Sequence, residues 1–216
     1  MPEPLPTPRA CVFDLDGTLV DSLHDIAESL NLCLELLGLP VHRVADYRYM
    51  VGEGIPRLCQ RAVGQSHPHL VARLAELARP VYRTRVLRHT RPYPGVPQLI
   101  GRLRHSGVKL AVLSNKPHDL TLRVVQAFWP DGEFDLAYGY VEEDLRKPSP
   151  AYLHRICREL HVPPAETWLI GDTPTDIETA RAAGVYAVGV TWGFRTRTDL
   201  EAAGAQRIVD HPDELP

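Results

Sequence analysis

Three aspartates crowd the end of a short apolar run in VFDLDGTLVDS, Val12 to Ser22: they are Asp14, Asp16 and Asp21. Burying a carboxylate without a partner is costly. In an extended segment side chains two apart point the same way, so Asp14 and Asp16 can face one site. Adjacent carboxylates repel unless a cation sits between them or one carries a proton. Small hard cations such as Mg²⁺ take oxygen ligands of this kind, with one or two carboxylates and a substrate phosphate. Standing alone, a DxDG stretch reads first as an acidic turn, because Asp and Gly are common turn formers.

The pair does not stand alone. Asp172 closes a second apolar run, TWLIGD, and Asp176 follows four residues later. Gly17 and Gly171 remove side chains where backbone must come close to a ligand. Ser114 and Asn115 close a third run, KLAVLSN, and Lys147 lies in RKPSP. Each has a plainer alternative when taken singly. Ser114-Asn115 can be a loop opening, Lys147 a surface charge, and Asp176 an N-cap of the next helix.

The elements that must position these residues follow from the hydrophobic pattern. Strands are expected at Ala10 to Asp14, Lys109 to Asn115, Thr167 to Asp172, Tyr186 to Val190 and Arg207 to Val209. Helices are expected at Val96 to His105, Asp119 to Phe128, Ala151 to Leu160 and Asp176 to Ala183, the last stopped by Gly184. Alternating strands and helices predict a doubly wound parallel α/β sheet, whose ligands bind beyond the carboxyl ends of the strands. Between Asp21 and about Arg91 the alternation gives way to helix. Leu23, Ile26, Ala27, Leu30, Leu34 and Leu37 keep helical spacing, with Asp21 or Ser22 as N-cap and Gly38 as stop. A second helix is expected at Ile55 to Val63 and a third at His69 to Leu87, kinked or interrupted at Pro80. An inserted α-helical cap placed here can act as a lid over the strand ends.

In order along the chain, DLDGTLVDS, LSNK, RKPSP and GDTPTDIETARAAG resemble the four motifs of the haloacid dehalogenase superfamily of phosphatases. The resemblance implies a Rossmann-like core over residues 1–20 and 92–216 and a helical cap over 21–91. It implies that Asp14 is the nucleophile and forms an aspartyl-phosphate, and that Asp16 is the general acid and base. Mg²⁺ would be held by Asp14, the Asp16 carbonyl and Asp172. Ser114 and the Asn115 N–H would bind phosphate oxygens, and Lys147 would neutralise them. Asp176 either orients the site or binds a metal water, with helix capping as its other reading. Thr18, inside the first motif, is a further candidate.

Within the family an aspartate at the position of Asp16 favours phosphate esters over dehalogenation or phosphonate cleavage. VGEGIPRLCQRAV (Val51 to Val63) and GVTWG (Gly189 to Gly193) resemble the phosphoglycolate phosphatase branch. Gly52 could contact substrate or serve as a turn before a helix, like Gly54. Arg57 could reach a substrate carboxylate or lie in solvent. His24 is placed loosely near the entrance. The expected function is hydrolysis of a small, phosphoglycolate-like phosphomonoester. A sugar-phosphate mutase and a pyrophosphatase are the alternatives.

Composition narrows the field further. The chain has 216 residues, 44% of them hydrophobic, and a net charge of −3 without a basic block. That argues against a nucleic-acid partner. Its four cysteines show no CxxC spacing, which argues against disulfides or zinc. No apolar run approaches membrane-spanning length. A cytoplasmic monomer or homodimer is expected, with the proline-rich MPEPLPTPRA as an extended arm.

Overall fold

The computed structural model describes residues 7–216, so most of the expected N-terminal arm lies outside the described residues. The chain begins with β1 (Ala10–Phe13), β2 (Val20–Asp21), α1 (Leu23–Leu36), α2 (Gly54–Val63) and α3 (Val71–Arg85). β3 (Arg91–Pro92), α4 (Val96–His105), β4 (Lys109–Pro117), α5 (His118–Phe128) and β5 (Leu136–Tyr140) follow. It ends with α6 (Ala151–Leu160), β6 (Thr167–Gly171), α7 (Pro174–Ala183), β7 (Tyr186–Val190), α8 (Arg197–Ala203) and β8 (Arg207–Val209).

Six strands form one parallel sheet in the order β5-β4-β1-β6-β7-β8. Both faces are covered, which is why these strands are apolar almost throughout. Cys11 and Phe13 of β1 enter one core with Trp168 and Ile170 of β6. Ala10 and Val12 enter a second core with Leu169, on the other face. From β1 the chain builds outward to β4 and β5, then returns to the other side of β1 with β6. The direction of winding therefore changes beside β1, where a crevice opens at the strand ends. Asp14, Ser114 and Asp172 lie at the carboxyl ends of three neighbouring strands.

Helices α1 to α3 pack on one another and extend over that end of the sheet. The short antiparallel ribbon of β2 with β3 carries the chain out to them and back. Its two-residue strands are too short for any periodicity to reveal, as is the half-buried edge strand β5, interrupted by Gly139. α8 also went unanticipated, although Thr196 and Asp199 form a capping box at its start.

Two local expectations change. Helix α3 runs through Pro80 without interruption. Pro80 lies on the exposed face, where water can satisfy the carbonyl that loses its N–H partner. Ser22 occupies the N-cap position of α1, but its side chain makes no capping bond. Its hydroxyl donates to Asp16 Oδ1 at 2.6 Å, and Asp21 Oδ1 accepts the Leu23 N–H at 3.2 Å instead.

Candidate active site

Asp14, Asp172 and Asp176 converge although they come from two different strand ends and a helix start. One carboxylate oxygen of each lies within 4.8 Å of the others. Lys147, fully enclosed, bridges two of them, at 2.9 Å from Asp14 Oδ1 and 2.6 Å from Asp176 Oδ1. Three carboxylates facing one ammonium leave the cluster short of positive charge when all are ionised. The titration behaviour reflects this. Burial, with Asp176 and Asp16 nearby, outweighs Lys147 and raises Asp14 to about 7. Burial and the charges of Asp14 and Asp176 push Asp172 well above the ordinary carboxylate range. Burial works against the Lys147 ammonium, but Asp14 and Asp176 outweigh it and hold its pKa above the usual lysine value. An all-oxygen donor set with surplus negative charge fits a hard divalent cation, which relieves the repulsion that otherwise keeps protons in the cluster.

Close backbone approach shapes this cluster. A side chain at Gly17 would collide with the Asp172 carboxylate, and one at Gly193 with both Asp172 and the Gly17 carbonyl. The glycine of the DGT motif and the last of GVTWG therefore admit the same aspartate. Asp172 is then fixed by the Thr18 hydroxyl on Oδ1 (2.9 Å) and the Phe194 N–H on Oδ2 (2.8 Å). Asp176 is not the N-cap expected of it: the helix starts earlier, at Pro174, with Thr173 as N-cap and Asp176 at the third helical position. Its Oδ2 accepts from the Thr173 N–H and hydroxyl in a capping box, while Oδ1 holds Lys147.

Asp16 faces a different partner. Lys116 Nζ lies 2.6 and 2.8 Å from its two oxygens and donates at 2.6 Å to the Tyr82 hydroxyl on α3. LSNK contains Lys116, but nothing in the motif assigns it a role; the available signal was a lysine inside an otherwise buried strand. Tyr82 continues the buried stripe Leu74–Ala78–Tyr82, so its spacing reads as core. Ser114 is buried and its Oγ accepts the Lys116 N–H. The Asn115 side chain acts as a clamp, its Oδ1 accepting the Lys147 N–H and its Nδ2 donating to the Lys147 and Gly52 carbonyls. The Gly52 loop is thereby tied to the sheet. Arg195 reinforces it by donating to the Val51 carbonyl, and Arg48 by donating to the Gly193 carbonyl.

A cavity of about 70 Å³ lies between these residues and the helices, bounded by Asp14, Asp16, Ser114, Lys116, Leu58 and Tyr82 among others. Gly52 also lines it, but Arg57 does not: its guanidinium is exposed and donates to Gln60. His24 is likewise away from the cavity. It sits beside Glu28 and His89, in a surface network where Arg85 holds Glu28 at 2.7 Å.

All four cysteines are free and buried. Among the described residues no helix is long and apolar enough to cross a membrane.

The family model of haloacid dehalogenase-like hydrolases matches residues 8–184. A phosphoglycolate phosphatase of Chromobacterium violaceum is 34% identical over 212 residues, covering 96% of this chain and 94% of its own. One from Mesorhizobium japonicum is 35% identical over 208 residues, covering 94% and 91%. A crystal structure described as a predicted phosphoglycolate phosphatase from Haemophilus somnus superposes with a TM-score of 0.86 at 28% identity, over 95% of each chain. With the four motifs gathered at one end of the parallel sheet, the chain belongs to the haloacid dehalogenase-like hydrolases, on their phosphoglycolate phosphatase-like branch, and is a phosphoric monoester hydrolase.

Proposed function

We propose that this chain hydrolyses a small phosphomonoester through an aspartyl-phosphate on Asp14, with Mg²⁺ as its metal and phosphoglycolate as the first substrate to try. The observation that carries the reading is the pairing of a crowded acid cluster with a separately held carboxyl. Asp14 lies among Asp172, Asp176 and Lys147, while Asp16 stands apart on Lys116 and Ser22. Those two environments suit two tasks, nucleophile and proton carrier.

Mg²⁺ would be held by Asp14, Asp172 and the Asp16 carbonyl, and when bound it polarises the phosphoryl group and offsets anionic repulsion. Asp14 Oδ attacks phosphorus in line with the ester oxygen. Asp16 gives that oxygen a proton as the bond to phosphorus breaks, then takes one from the water that hydrolyses the aspartyl-phosphate. Ser114 and the Asn115 N–H would bind the phosphoryl oxygens, with Lys147 balancing their charge. The apolar residues that the helices bring to the cavity would limit water around the reacting groups.

On this reading residues 1–20 and 92–216 form the core and 21–91 the cap of a cytoplasmic protein without nucleic-acid or membrane partners. Similarity to phosphoglycolate phosphatases favours a compact ester over a hexose phosphate. A panel of phosphoglycolate, hexose phosphates, nucleotides and pyrophosphate, ranked by kcat/KM with Mg²⁺ and with EDTA, tests it. Reversible loss in EDTA and preference for a small monoester are expected. Metal-independent turnover or preference for pyrophosphate would overturn it.

A further inference from the structure

Among the described residues that bound the cavity, Lys116 is the only positively charged one. Apart from Tyr82 and Ser29, the residues that α1 to α3 contribute to it are apolar or glycine, and the Ser29 hydroxyl is already given to the Asp25 carbonyl. An anionic leaving group entering from the phosphoryl site therefore meets the Lys116 ammonium in the cavity wall. That cation lies within 2.8 Å of both oxygens of Asp16, the group assigned to protonate the ester oxygen. A carboxylate one carbon removed from that ester oxygen stays close to the group that protonates it, and Lys116 Nζ stands 2.6 and 2.8 Å from that group's two oxygens. Lys116 is itself 2% exposed at its side chain, so its charge acts in a dry setting where an ion pair is strong. A neutral group there leaves Lys116 with Asp16 and Tyr82 alone, whereas a carboxylate adds a charged acceptor.

We propose that Lys116, seated by the Tyr82 hydroxyl, is the specificity residue that reads a carboxylate on the leaving group, selecting 2-phosphooxy carboxylates over neutral esters of the same size. The proposal rests on the phosphatase reading above. Without substrate Lys116 holds Asp16; with substrate its donors are shared with the new carboxylate. Burial, with Asp16 and Asp25 nearby, pushes the Tyr82 phenol well up, so that hydroxyl stays neutral. Accepting from Lys116, it retains its own proton to donate to the same carboxylate. Tyr82 comes from α3, so the recognition site is complete only with that helix seated as it is here.

The test compares phosphoglycolate with its neutral isostere, phosphoglycolamide, on the full chain. Wild type should favour the acid by at least roughly tenfold in kcat/KM, and Lys116→Met should lower that ratio roughly ten- to hundredfold. Tyr82→Phe should lower it several-fold. An equal loss on both esters would make Lys116 solely a positioning residue for Asp16 and overturn the proposal. So would a wild type indifferent to the amide. If Lys116→Met fails to fold, the wild-type ratio and its change in Tyr82→Phe still decide. Asp14-dependent hydrolysis of both esters without discrimination sinks this inference and leaves the phosphatase reading standing. Hydrolysis of neither sinks both.

Discussion

Asp25 and Asp172 are both completely buried, yet one belongs to a joint and the other to a reaction site. Asp25, on α1, accepts from the His89 N–H, the Thr90 N–H and the Thr90 hydroxyl. These donors are neutral, sit just before β3, and fasten the first helix to the returning strand. Asp172 also accepts two neutral bonds, from Thr18 and Phe194, but it shares its space with Asp14 and Asp176. A buried carboxylate is a structural fixture when its donors satisfy it. It becomes a binding site for a cation when further carboxylates crowd it beyond what those donors offset.

The largest break in this comparison should come at the crowded end. Asp14→Asn is expected to lower kcat on phosphoglycolate by on the order of 10⁴-fold or more. Its Tm should change little, because Lys147 keeps Asp176 and one repelling charge is gone. Asp25→Ala should do the reverse. It strands two buried donors of Thr90 and a part-buried one of His89, and should cost about 3 kcal/mol in urea unfolding, with activity per folded molecule retained. A Tm collapse in the first variant, or an intact Tm in the second, would erase the distinction.

A pH series sharpens it. In the folded chain without cation Asp14 sits at about 7, against an ordinary value of 3.8. The folded state therefore keeps a proton that the unfolded chain has released, and stability falls as pH rises between about 4 and about 7. Added Mg²⁺ should raise Tm more at about pH 7 than at about pH 4, where protons already relieve the cluster. An equal rise at both values would contradict the repulsion argument.

The smallest effects come from single hydroxyls. Thr18→Val removes one donor from Asp172 and should weaken the apparent Mg²⁺ affinity roughly tenfold, read from the Mg²⁺ dependence of kcat/KM. Thr90→Val removes one donor from Asp25 and should cost about 1 kcal/mol without touching the Mg²⁺ dependence.

These two regions also differ in how far the sequence discloses them. The crowded site announces itself, because Asp14 and Asp172 each follow an apolar run long enough to mark a buried strand, and glycine stands where backbone must crowd Asp172. The joint does not. Asp25 falls at a helical position with nothing near it in sequence to explain it, and its donors are mostly backbone groups over sixty residues away. Lys116 and Tyr82 were hidden for a related reason. Each obeys its local pattern, one as the tail of a motif and the other as part of a buried helical stripe, and their meeting depends on how α3 lies over the sheet. Ser22 shows the limit of capping rules, since its hydroxyl turns to donate to Asp16 and its oxygen accepts no N–H from the helix start.

The most direct test of the central claim is to trap the intermediate. Radiolabelled phosphomonoester mixed with enzyme and Mg²⁺, then quenched in acid during turnover, should leave label bound to the peptide that contains Asp14. The label should disappear on a chase with unlabelled ester and be absent from Asp14→Asn. Steady turnover with no protein-bound label, or label on a peptide without Asp14, would contradict the account.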